Sequence, residues 1–99
     1  MANLIVMAKV TIRPQYTSQA SALLIELACK SEQESGCLSY KILPSQDEGN
    51  VFTTLEVWES SEAEMQHWNT DHLKTIIAKL NPLLAAEARI EKYTEVKTI

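Results

Sequence analysis

Apolar and polar residues alternate from Leu4 to Ile12. Leu4, Val6, Ala8, Val10 and Ile12 share one face, and Ile5, Met7, Lys9, Thr11 and Arg13 share the other. That period of two predicts a β-strand. Its second face starts apolar and ends polar, so both faces are covered near the strand's beginning. Pro14 ends it, because proline cannot donate to a ladder. The period then becomes helical. Ala20, Leu23, Leu24, Leu27, Ala28 and Ser31 form one stripe, with Glu26, Lys30, Gln33 and Glu34 off it, as in a helix packed on a core. Thr17 or Ser18 is the expected N-cap, and Gly36 the expected left-handed stop.

Cys37 to Leu43 reads as a second strand with Leu38, Tyr40 and Ile42 on one face. The polar run Pro44–Asn50 predicts an exposed hairpin loop. Val51 to Trp58 is the third strand: Val51, Thr53, Leu55 and Val57 face one way, and Phe52, Thr54, Glu56 and Trp58 the other. Neither face is plainly wet, and a strand with two apolar faces needs two covers. Ser61 and Glu64 match a capping box. The helix they open is short, since Asn69-Thr70-Asp71 interrupts it and offers a new N-cap at Thr70. Leu73, Ile76, Ile77 and Leu80 continue at helical spacing as far as Pro82. A last alternation, Ile90, Lys92, Thr94 and Val96 against Arg89, Glu91, Tyr93 and Glu95, predicts an edge strand.

The order strand, helix, strand, strand, helices, strand fits one α+β domain of the ferredoxin-like, split βαβ kind, with helices on one face of an antiparallel sheet. Ninety-nine residues suit a single domain. A net charge of −4 without a basic run argues against a nucleic-acid partner, whose affinity depends on neutralised phosphates. No apolar run is long enough to span a bilayer and no signal-peptide pattern opens the chain, so a cytoplasmic protein without a membrane partner is expected. Cys29 and Cys37 match neither a CxxC pair nor a zinc half-site. Cys29 falls on the helix stripe, and both read as structural thiols.

Both histidines and both tryptophans lie between Glu56 and His72. Together with Gly36-Cys37-Leu38-Ser39-Tyr40 and Phe52, the stretch Glu56-Val57-Trp58-Glu59-Ser60, followed by Ala63, His67, Thr70, Asp71 and His72, resembles the antibiotic biosynthesis monooxygenase domain of the dimeric α/β barrel superfamily. The resemblance covers nearly the whole chain. It implies a ferredoxin-like protomer whose sheet packs on a second copy's sheet, making a homodimer. Members of that superfamily differ in activity: some oxidise aromatic or quinol substrates with molecular oxygen and no metal or flavin, one branch degrades haem, and another processes a small sugar phosphate. The haem branch's asparagine, tryptophan and histidine fall on Ala8, His67 and Ile77 here, so haem degradation is not expected.

The implied activity is a cofactor-free monooxygenase acting on a small aromatic or quinol-type molecule and oxygen. Imidazole is the natural base near neutral pH, and His67 is the expected base, with His72 assisting or orienting substrate. The competing reading of both rings is that each bonds a backbone group beside a cap. Tyr40, Glu56, Trp58, Met65 and Trp68 are the expected substrate-binding residues. The aromatics among them also suit a plain core. Glu56 either orients a histidine or pairs with Lys9, Arg13 or a partner chain's cation. No metal ligand set is expected: His67 and His72 are separated by the helix break, and Asp71 suits a cap better than a ligand. No Gly-rich phosphate loop or nucleophile elbow occurs. A cofactor-free isomerase or small-metabolite enzyme using the same histidines, and a non-catalytic, stress-related dimeric binding module, remain the alternatives.

Overall fold

The computed structural model describes residues 3–96. Strand β1 (Leu4–Thr11) leads into helix α1 (Thr17–Ser31); strands β2 (Cys37–Pro44) and β3 (Val51–Trp58) form a hairpin; helices α2 (Ser61–His67) and α3 (Asp71–Leu80) precede the last strand, β4 (Arg89–Thr94). The strands form one antiparallel sheet in the order β2-β3-β1-β4, with the helices packed on one face. This is the ferredoxin-like α+β arrangement that the element order predicts.

Register decides which residues meet. Tyr40 pairs with Glu56, Glu56 with Val6, and Val6 with Lys92, so these four make one row across the helix-facing side. The next row runs Ile42, Thr54, Ala8, Ile90. Under the helices the core falls into two clusters. One gathers Val10, Ile12, Ala20, Leu24, Phe52, Leu80 and Leu83; the other gathers Val6, Leu27, Tyr40, Trp58, Leu73 and Ile76.

On the opposite face Ile5, Met7, Leu55 and Val57 are only half-buried, with Tyr93 exposed beside them. Among the described residues no helix covers that side. Among the described residues no helix is long and apolar enough to cross a membrane.

Four local expectations change. Leu38 does not share a face with Tyr40: the pairing jumps from Cys37↔Trp58 to Ser39↔Val57, so Leu38 is the extra residue of a bulge and is exposed. A bulge shifts the period by one, which seats Cys37 on the core side instead. Cys29 is exposed, because two residues beyond Leu27 a helix has turned about 200°. The α1 cap is Tyr16, without a side-chain bond, while Thr17 Oγ1 donates to the Pro14 carbonyl. In α2 the cap is Ser60 rather than Ser61, its Oγ accepting from the Ala63 amide at 3.1 Å.

Gly36 differs too. No described glycine has a positive φ, so the residue is needed for space. A Cβ at Gly36 would stand 2.3 Å from the Ala63 Cβ. The glycine lets the turn after α1 lie flat against α2.

Candidate active site

That close approach brings Glu34, in the turn, to the end of α2. The helix stops at His67 because Thr70 caps the next one: its Oγ1 accepts from the Leu73 amide and donates to the His67 carbonyl at 2.7 Å. The break between α2 and α3 turns His67 and His72 toward each other, their ring centroids 6.2 Å apart. One oxygen of Glu34 serves both. Its Oε2 lies 2.7 Å from His67 Nδ1 and 2.8 Å from His72 Nε2.

A carboxylate oxygen only accepts hydrogen bonds. Each imidazole nitrogen facing Glu34 therefore carries the proton, and the neutral His67 ring is left with its lone pair on Nε2. His67 and Glu34 stand in the same geometric relation as the histidine and its orienting acid in hydrolytic triads. His67 is 2% exposed. Trp58 lies against its ring at 4.7 Å between centroids, with Tyr40 at 5.8 Å and Trp68 at 6.3 Å. These rings fix the imidazole's orientation by packing.

His67 also forms part of the wall of a cavity of about 220 Å³ between the helices and the sheet. The lining is largely apolar, from Val6, Leu24, Leu27 and Ile77 among others, and includes Tyr40, Thr54, Glu56 and Trp68. This is the usual make-up of a small-molecule site, apolar walls with a few placed polar groups.

Glu56 is buried in that wall and does not pair with Lys9 or Arg13. Its Oε2 accepts from Thr54 Oγ1 at 2.7 Å and its Oε1 from Trp58 Nε1 at 3.0 Å. Thr54 Oγ1 in turn accepts from the Ala8 amide at 3.0 Å. Burial raises the Glu56 pKa, against the opposing pull of these donors, His67 and Tyr40. Burial likewise pushes the Tyr40 phenol far upward, helped by the Glu56 carboxylate beside it. Tyr40 therefore stays protonated and keeps a hydroxyl proton to donate. Burial drives the Cys37 thiol up to about 11, which fits an inert structural thiol.

Beside the cavity, Trp68 is held by a second buried acid. Glu64 accepts from Trp68 Nε1, and its other oxygen accepts from Lys92 Nζ on β4 at 3.0 Å. Glu64, expected to reach back to its own helix cap, turns to Trp68 instead.

Of the residues singled out from the sequence, the fold brings His67, Tyr40, Glu56 and Trp68 to one cavity. His72 does not line it and is linked to His67 through Glu34. Trp58 is fully buried behind His67 rather than in the wall, and Met65 is 63% exposed and points away. Glu34, Thr54 and Glu64 were not legible. Glu34 sits 33 residues from His67, and the Gly36–Ala63 contact, with the Glu59 amide donating to the Gly36 carbonyl at 2.9 Å, brings their segments together. Spacing between His67, Asp71 and His72 gave no ligand set, but with Glu34 included three donor atoms lie within 4.8 Å of one another.

The sequence profile of the antibiotic biosynthesis monooxygenase family matches residues 3–79. Solved structures resemble the fold throughout. A Caulobacter crescentus CB15 protein, proposed to be an antibiotic biosynthesis monooxygenase, is 29% identical with a TM-score of 0.91, over 97% of this chain and 92% of that one. A Methanosarcina mazei Go1 protein is 28% identical with a TM-score of 0.89, over 94% of this chain and 92% of that one. A Mycobacterium tuberculosis protein is 25% identical with a TM-score of 0.90, over 97% of each chain. No curated protein matches the chain at a significant level.

Proposed function

The chain belongs to the antibiotic biosynthesis monooxygenase family, and from that premise we propose that it is a monooxygenase for a small aromatic or quinol-type substrate, working without metal or flavin. The observation that carries this reading is His67, its Nδ1 committed to Glu34 and its ring in the wall of an apolar cavity. Nε2 of His67 takes the proton of a phenolic hydroxyl. The resulting anion passes one electron to oxygen, and the two radicals combine into a carbon-bound peroxide. Loss of water, with the proton returned by His67, leaves a quinone carbonyl. One oxygen atom thus enters the substrate and the other leaves as water, with both substrate hydrogens. Glu34 steadies the imidazolium formed on the way, as a triad acid does, and Tyr40 donates to a substrate oxygen. The open cavity at His67 favours an enzyme over a binding module, whose core would be filled there.

The uncovered sheet face, with Ile5, Met7, Leu55 and Val57, takes a second copy in this reading. Exposed apolar faces of this kind mark interfaces.

Turnover of a panel of naphthols and hydroquinones under ¹⁸O₂ tests the chemistry. One labelled atom is expected in the product and one in water. A product without label, formed alongside hydrogen peroxide, would show an oxidase and overturn the monooxygenase reading.

A further inference from the structure

The proposed reaction uses one nitrogen of His67 and leaves a second feature unexplained. Two imidazoles from different helices converge on a single carboxylate oxygen, at 2.7 and 2.8 Å. Glu34's ion-pair partners among the described residues are these two rings alone. With both rings neutral the cluster keeps the carboxylate's negative charge. His67 is buried, whereas the side chains of Glu34 and His72 are 15% and 20% exposed, so the cluster opens to solvent on one side.

We propose that Glu34, His67 and His72 form a Zn²⁺ site, and that the bound ion switches off the base. Two imidazole nitrogens and one carboxylate oxygen are a zinc ligand set that leaves a fourth position for water. The same set does not suit Mg²⁺ or Ca²⁺, which take oxygen ligands. The three donor atoms already lie within 4.8 Å of one another. A tetrahedral ion about 2.0–2.2 Å from each donor holds them roughly 3.3–3.6 Å apart. The Glu34 oxygen, now 2.7 and 2.8 Å from the two rings, therefore retreats from each by roughly 0.5–0.9 Å, which its place in a turn permits.

Binding needs no net proton release. In the metal-free protein the protons sit on His67 Nδ1 and His72 Nε2, facing Glu34. A cation at that point takes the lone pairs of both nitrogens, so each proton moves to the other nitrogen of its own ring. For His67 that nitrogen is Nε2, the one proposed to take the substrate's proton. The metallated ring carries N–H there and can no longer act as a base. The ion thus inhibits without entering the cavity. The inhibition rests on the function proposed above; the binding and the proton shift do not.

The test uses tag-free, metal-stripped protein and ZnCl₂, with no substrate. Isothermal titration is expected to give one Zn²⁺ per chain at micromolar protein, with MgCl₂ silent. Glu34→Gln and His72→Asn, each checked for an unchanged melting temperature, are expected to weaken binding by about 10–100-fold or more. Long-range ¹⁵N spectra are expected to show His67 passing from the Nδ1–H to the Nε2–H form as zinc is added. Should one variant fail to fold, the other and the spectra decide. Absence of saturable binding, binding unchanged in a folded variant, binding lost instead in Cys29→Ser, or a His67 tautomer that zinc does not alter would each overturn the proposal. If zinc binds and shifts the tautomer while turnover of a naphthol continues undiminished, the site stands and the base role of His67 falls.

Discussion

Gly36 lies so close to Ala63 that a Cβ on the glycine would come within 2.3 Å of the alanine's. The contact joins the turn carrying Glu34 to the helix carrying His67, and so the site depends on a residue with no chemistry of its own.

Gly36→Ala is expected to cost about 1–3 kcal/mol, the usual effect of overpacking, and to lower turnover by separating Glu34 from His67. Ala63 offers no flexible side-chain end to move aside. Adding Ala63→Gly restores the space, at about 1 kcal/mol for a glycine within a helix. Denaturant melts and activity of the two single variants and the double variant check this. A double variant no more active than Gly36→Ala would mean that the contact does not position the site.

The elements and their order were legible because each carries a clear period: two for the strands, 3.6 for α1. The reach of the α1 stripe was legible too, since Ala20, Leu24, Leu27 and Ser31 are the buried residues of that helix. Leu38 was misplaced because a bulge inserts a residue that alternation cannot anticipate. The sequence marks His67 as a candidate base and Tyr40 as a candidate donor, and the fold brings both to one cavity wall. Glu34 was not legible, since an acid just past a helix looks like any solvated turn residue until tertiary packing places it.

Burial raises the Glu56 pKa in the folded protein. The folded state therefore binds a proton more tightly than the unfolded chain. Stability from this group is fully present below the unfolded pKa and is lost as pH rises through the folded pKa. Glu56→Gln removes the titration. Its stability relative to wild type is expected to increase from about pH 4, near an ordinary Glu, upward through the raised folded value. Chemical melts across pH 4–8 provide the check. A constant difference between the two proteins would show that Glu56 titrates alike in both states.

The uncovered sheet face predicts a dimer with an interface on the order of 2,000 Å² or more in total. Val57, half-buried on that face beside Ile5, is a direct probe. Light scattering at micromolar concentration is expected to give a dimer for wild type and a monomer for Val57→Lys, since a lone charge buried in an apolar interface is strongly unfavourable. A wild-type monomer would remove the second copy from the account.

Oxygen uptake bears most directly on the claim that His67 is the base. The assay uses a naphthol or hydroquinone that the wild-type protein turns over, in buffer containing a chelator so that zinc does not intrude. His67→Ala is expected to lower kcat/KM for uptake by roughly 10²–10⁴-fold, the usual worth of a positioned base, in protein whose melting transition and oligomeric state are retained. Equal uptake by folded His67→Ala and wild type would contradict the account.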